Sequence, residues 1–249
     1  MINIVLPIAG RGSRFAEAGF ELPKPLILIH GKPMIEVVVN NVRPRIEHRF
    51  IFVALKAHLD HLGMKSTLER IAPNCIIIPV EQVTQGAACT VLLAKDYIDN
   101  GNHLMIANSD QFVDIDINDY LNKLDPEEVD GLIMTMNAED PKWSYVGLRN
   151  DGTVNNVVEK EVISSEATVG IYNFRHGSEF VLAAEQMIAK NLRVNNEFYV
   201  APAYNEMIKK GAKIIIYNIG EEHNGMHGLG IPSDLKQFSD SEVSKKAVE

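Results

Sequence analysis

Apolar residues in the first half of the chain come in short, nearly unbroken blocks. Residues 2–9 (INIVLPIA) form the first, as expected of a parallel strand covered on both faces. Similar blocks follow at 49–56 (RFIFVALK), 75–80 (CIIIPV) and 103–108 (HLMIAN). Between them, residues 33–42 (PMIEVVVNNV) predict a helix opened by proline. A helical stretch is expected after residue 56 to about Ile71, and residues 86–98 (GAACTVLLAKDYI) read as an amphipathic helix. Strands alternating with helices at this spacing predict βαβ units and a mostly parallel sheet. Right-handed crossovers then place the loop after residue 9 and the loop after Asn108 on one edge of that sheet.

The second half is richer in strands: 131–136 (GLIMTM), 144–161 (SYVGLRNDGTVNNVVEKE) and 167–174 (ATVGIYNF), with Asp151-Gly152 as a hairpin turn. Helices are expected at about 177–190 and 197–210, then a strand at 213–219 and a polar, frayed tail over 236–249. No repeat, low-complexity tract or linker divides the chain. The pattern therefore predicts a single α/β domain over 1–249, with an α/β front to about residue 130 and a mixed back from 131 to 235.

Composition narrows the partners. The 249 residues are 46% hydrophobic and 23% charged, ordinary for a globular protein. A net charge of −9 disfavours nucleic acid and anionic membrane as general partners, while leaving room for a local basic pocket. No apolar run approaches the roughly 18–20 residues of a membrane span, and the first block has no basic leader, so a cytoplasmic location is expected. Cys75 and Cys89 show no metal or redox spacing and read as packed thiols in a reducing compartment.

Candidate chemistry concentrates in PIAGRGSRFAEAGFELPKP, residues 7–25. Gly10 and Gly12 let backbone approach a ligand closely, and Arg11, Arg14 and Lys24 supply the charge that a polyphosphate needs. A tight turn with solvated arginines is the plainer reading of the same loop. A dinucleotide loop would need a third glycine where this chain has Phe15, and an acidic residue where it has Lys56. A P-loop fails for want of Gly-Lys-Ser/Thr.

The run GRGSRF…LPKPLI…GKPMIEVVV resembles the opening of sugar-phosphate nucleotidyltransferases, with Arg14, Pro23, Lys24, Pro25, Gly31 and Pro33 in register. Further segments resemble that family in order along nearly the whole chain: TQGAAC, ANSDQF, VVEKE, ATVGIYNF, NNEFYV and GLGIPSDL. The resemblance implies a Rossmann-like, GT-A-type fold: a mostly parallel mixed sheet flanked by helices, with a β-rich acceptor-binding half. It implies an enzyme that joins a nucleoside triphosphate to a phosphorylated sugar or polyol and releases pyrophosphate, with Mg²⁺ as cofactor. Homo-oligomers are common among such enzymes.

On the same resemblance, Ala9, Gly10, Arg11, Gly12 and Arg14 would cradle the triphosphate, and Lys24 would stabilise charge at the α- and β-phosphates. Gln85 and Gly86 would meet the nucleobase, and Asp110 would hold Mg²⁺. Lys160 would bind the acceptor phosphate, with Gly147, Glu159, Glu197 and Tyr199 around the rest of the acceptor. Apart from the resemblance, Lys24 reads as a surface lysine, Gly86 as a helix start, Asp110 as a cap, and Glu159–Lys160 as a cross-strand ion pair. Trp143 reads as a packing or lid residue.

The pattern breaks in two places. The second metal-binding aspartate usual in the family falls on Gly228 here, and Asp234 reads as the cap of the last helix. The segment between Arg14 and Lys24 lacks the Pro-x-Thr of thymidylyltransferases. That favours a wider subgroup which includes cytidylyltransferases of capsule and surface-polysaccharide synthesis, with the base left open among cytosine, uracil and thymine. A GT-A glycosyltransferase would need Asp-x-Asp where NSDQF has one acid. A non-catalytic relative predicts loss of Lys24 or Asp110, and both are present.

Overall fold

The computed structural model describes residues 1–60, 63–125 and 128–249. Strand β1 (Ile2–Ile8) lies inside a large sheet. It is parallel to β4 (His48–Leu55) on one side and to β6 (His103–Ala107) on the other, and β5 (Ile76–Val80) extends the parallel part beyond β4. The unbroken apolar block of β1 follows from this position. Ile2, Ile4, Leu6 and Ile8 pack into one core while Val5 packs into another with Ile51 and Val53, so both faces of the strand are covered.

The back half joins the same sheet in mixed sense. β11 (Glu166–Phe174) runs antiparallel to β6 and to β8 (Gly131–Asn137), and β12 (Ile214–Glu222) runs parallel to β8. β13 (Gly225–Gly228) and β7 (Gln111–Val113) complete the path as an antiparallel pair. The hairpin of β9 (Ser144–Leu148) and β10 (Val154–Glu159) turns at Asp151-Gly152 as expected, with Gly152 at φ +82°. β2 (Leu28–Ile29) and β3 (Lys32–Pro33) form a separate small ribbon.

Helices α1 (Ser13–Glu17), α2 (Met34–Asn41), α3 (Lys56–Leu59) and α4 (Met64–Ile71) belong to the front. The stretch expected to run helical to Ile71 crosses residues 61–62, which lie outside the described residues. The helix expected over 86–98 is two pieces, α5 (Ala87–Leu92) and α6 (Lys95–Ile98), because Leu93 and Ala94 make tight three-residue bonds to Thr90 and Val91. α7 (Ile117–Leu121) follows β7, and α8 (Gly177–Ala189) stands close to its expected span.

Two expectations need correction. The helix placed at 197–210 covers only α9 (Ala203–Ile208). The backbone of Phe198 instead bridges Gln85 O and Ala88 N at 2.8 and 3.0 Å, which holds that segment out of helical form. The tail is not frayed: it forms α10 (Pro232–Ser239) and α11 (Glu242–Lys246). Ser241 caps α11, Ser244 is fully buried against His30 Nε2 at 2.8 Å, and Val243, Ala247 and Val248 pack on the core. Cys75 and Cys89 are free, half-buried thiols, and burial pushes both pKa values up.

Candidate functional site

Because β1 and β6 are parallel neighbours, the loops leaving their carboxyl ends meet on one edge, as the crossover rule requires. Lys24 Nζ donates to Asp110 Oδ2 at 2.7 Å across that meeting point. Lys24 opens a single 3₁₀ turn, Lys24–Leu26, braced by Pro23 and Pro25. Gly12, at φ +64°, lets that turn cross tightly: a Cβ there would stand 3.2 Å from Lys24 Cβ. Phe15, standing where a dinucleotide loop has its third glycine, is buried with Lys24 Nζ 5.9 Å from its ring centroid.

Two cavities adjoin at this edge. The first, about 470 Å³, is lined by Gly10, Gly12, Ser13, Arg14, Lys24, Asp110, Ala87 and Glu197, among others. The second, about 370 Å³, is lined by Lys142, Trp143, Ser144, Glu159, Lys160, Thr168, Tyr172, Tyr199 and Asp234, among others. Arg14, Asn108, Asp110 and Gly230 line both. The geometry therefore suits two anionic ligands placed side by side, with a cation on each side of the shared wall.

The structure brings most of the expected residues together, though not all in the expected place. Gly10, Gly12, Arg14, Lys24 and Asp110 line the first cavity, and Glu159, Lys160 and Tyr199 the second. Glu197, expected beside the acceptor, lines the first cavity instead. Ala9, Arg11, Gln85, Gly86 and Gly147 line neither. Gly86 has a packing reason for being glycine: at φ +127°, its Cβ would sit 2.5 Å from Phe198 N and O. A Cβ at Gly147 would collide with the side chains of Asn155 and Asn156 at 2.4 and 2.1 Å.

The wall of the second cavity is a buried polar network. Glu159 ends β10 and accepts a hydrogen bond from Ser144 Oγ. Burial raises its pKa above the ordinary value of 4.5, against the opposing pull of Ser144 and of Lys160 Nζ, 3.7 Å away. Lys160 takes φ +62°, which turns its ammonium onto Lys142 O at 2.6 Å and over the Tyr199 ring. Burial, then Glu197 and Glu159, push the Tyr199 phenol up to about 12.

Residues missed in the sequence complete this wall. Thr168 Oγ1 and Tyr172 Oη lie 3.0 Å apart. Gly170, at φ +82° in the irregular stretch of β11, makes room for two carboxamides: a Cβ there would meet Asn108 Nδ2 at 2.3 Å and Gln111 Oε1 at 2.7 Å. Gln111 Nε2 and Trp143 Nε1 are buried donors without a protein partner. Only the glycine in GIY signalled this crowding, and its meaning depends on strands far apart in sequence.

Asp234 differs from its expected role. The N-cap of α10 is Ile231, with no side-chain cap, and the Asp234 carboxylate lies against Gly228.

The nucleotidyl transferase family model matches residues 3–211. The bifunctional protein GlmU of Thermotoga sp. strain RQ2 is 28% identical over 204 residues, covering 79% of this chain and 42% of that protein. The chain spans less than half the length of the curated relatives it matches. Among solved structures, a nucleoside-diphosphate-sugar pyrophosphorylase from Vibrio cholerae superposes with a TM-score of 0.78 at 25% identity, covering 97% of this chain and 100% of that one. A UTP-bound UGPase from Acinetobacter baumannii superposes at 0.74 with 19% identity, covering 95% and 92%. No helix among the described residues is long and apolar enough to cross a membrane.

Proposed function

Since the chain belongs to the nucleotidyl transferase family, we propose that it joins a nucleoside triphosphate to a phosphorylated sugar or polyol and releases pyrophosphate. The product would be an activated sugar or polyol of the kind consumed in capsule or surface-polysaccharide assembly. The first cavity takes the triphosphate and the second takes the acceptor.

An oxygen of the acceptor phosphate attacks the α-phosphorus, a new P–O bond forms, and the bond to the β-phosphate oxygen breaks in line with it. The nucleophile is already an anion, so no side chain has to remove a proton. What the protein must supply is proximity of two polyanions and neutralisation of charge on the leaving pyrophosphate. Lys24 and Arg14 do this from the first cavity, and Lys160 and Lys142 receive the acceptor from the second. Before substrate arrives Asp110 neutralises Lys24; triphosphate oxygens then compete for the ammonium. Glu159, Tyr172 and Thr168 suit a ligand rich in hydroxyls.

Asp110 fits a Mg²⁺ site as a hard oxygen donor on the wall shared by both cavities, where Gly230 leaves room beside its carboxylate. The bound cation would screen the triphosphate oxygens, held by one or two carboxylates and the substrate. The observation that carries this proposal is the Lys24–Asp110 pair at the junction of the two cavities.

The test is pyrophosphate release with Mg²⁺, crossing CTP, UTP, dTTP, ATP and GTP against sugar and polyol phosphates. Release with one pair, abolished in Lys24→Ala and Asp110→Ala, is expected. No release with any pair and no triphosphate binding by folded protein would overturn the proposal.

A further inference from the structure

Gly228 ends β13, and Gly230 lies two residues further on, in the bend that leads into α10. This segment is held to the Asp110 backbone, with Leu229 N donating to Asp110 O at 2.7 Å. Each glycine makes space for one carboxylate. A Cβ at Gly230 would stand 3.2 Å from Asp110 Oδ2, and one at Gly228 would stand 3.0 Å from Asp234 Oδ2 and 3.5 Å from Asp234 Cβ and Cγ. Gly228, Gly230, Asp110 and Asp234 all line the second cavity.

Asp234 has no other evident task. It is the third residue of α10 and caps nothing. Its Oδ1 is 3.3 Å from Ser233 Oγ, and among the described residues it forms no ion pair, whereas Asp110 is paired with Lys24. In the first turn of α10 the helix N-terminus favours the negative charge of Asp234, and its carboxylate shares the second cavity with that of Asp110.

We infer that Asp234 supplies the second carboxylate for the divalent cation assigned to Asp110, entering from α10 the space that a side chain at position 228 would fill. The inference rests on the proposed nucleotidyl transfer, in which that cation serves the triphosphate. It also gives Gly228 a reason: any larger residue there would displace Asp234. Position 228 is outside the left-handed region, so an aspartate is sterically allowed there once Asp234 is shortened.

The test is Mn²⁺ binding to the whole chain without nucleotide, followed by the electron paramagnetic resonance of the free ion, with thermal unfolding as the control for fold. Asp234→Ala and Asp110→Asn are each expected to weaken Mn²⁺ binding by more than about tenfold. The Asp234→Ala/Gly228→Asp double variant is expected to recover most of that loss. A folded Asp234→Ala protein that binds Mn²⁺ within about twofold of wild type, while Asp110→Asn is weakened, overturns the inference and leaves the proposed reaction standing. A folded double variant that recovers nothing overturns the exchange of positions. If the wild type itself shows no saturable binding, or neither single variant changes it, the cation site falls and the inference with it.

Discussion

The two cavities that meet at Asp110 are held in shape by different means. Around the first, backbone does the work: Gly12 lets the Pro23–Lys24–Pro25 turn cross the loop after β1, and Gly86 lets the Phe198 backbone pass within reach of hydrogen bonds to Gln85 and Ala88. Around the second, side chains do it: Ser144 on Glu159, Lys160 across to Lys142, and Asn108 with Gln111 in the space left by Gly170. On the proposed reaction, a wall of backbone would present the same face to any triphosphate, because all triphosphates share their phosphates. A wall of side chains can be recut for each acceptor without disturbing the sheet.

That contrast can be broken at several points, and the largest effect belongs to the shared edge. Lys24→Ala should lower kcat by about 10²–10³-fold, as loss of one charge-stabilising donor does elsewhere, while thermal stability stays close to wild type. A single-turnover assay of pyrophosphate release measures it, and a loss confined to the acceptor KM would count against Lys24 as a phosphate group. Next come the two glycines. Gly86→Ala drives a Cβ into backbone at 2.5 Å and should cost about 3 kcal/mol in urea unfolding, whereas Gly170→Ala meets movable carboxamides and should cost about 1–2 kcal/mol. Equal losses at the two sites would erase the distinction between backbone and side-chain walls.

Glu159→Gln sharpens the same distinction kinetically. It should raise the acceptor KM by about tenfold and leave the triphosphate KM nearly unchanged. Burial raises the Glu159 pKa in the folded protein, so above pH 4.5 the native carboxyl keeps a proton that the unfolded chain has lost. Its contribution to stability is therefore greatest at low pH and declines as pH rises through the folded pKa. Unfolding curves should show that decline in wild type and a flatter dependence in Glu159→Gln; equal slopes would contradict the assignment. The smallest effect is expected at Ser244→Ala, about 1 kcal/mol from the lost His30 contact, with unaltered kinetics.

The same division explains what the sequence disclosed. The front fold was legible because each strand of the β5-β4-β1-β6 group is a continuous apolar block, and the crossover rule alone brought the loop after β1 to Asp110. Lys24 and Asp110 were singled out because each lies in a short motif, Lys24 between two prolines and Asp110 in the segment just after β6. Gln111 and Thr168 were not, and Asp234 was read only as a cap, since their surroundings arise from contacts between β7, β11, β13 and α10 that no local pattern encodes. The segment holding Glu197 and Tyr199 looked helical by composition, but tertiary bonds to Gln85 and Ala88 override that preference. The tail looked polar, yet Val243, Ala247 and Val248 suffice to dock it once Ser241 caps α11.

The division of labour itself is tested most directly by a crystal structure with a non-hydrolysable analogue of whichever triphosphate supports turnover. The phosphates should lie between the Gly10–Arg14 loop and Lys24, with the Lys24 ammonium moved off Asp110 and the cavity of Trp143 and Tyr172 still open. Phosphates found instead against Lys142 and Lys160, with the Lys24–Asp110 pair intact, would contradict it.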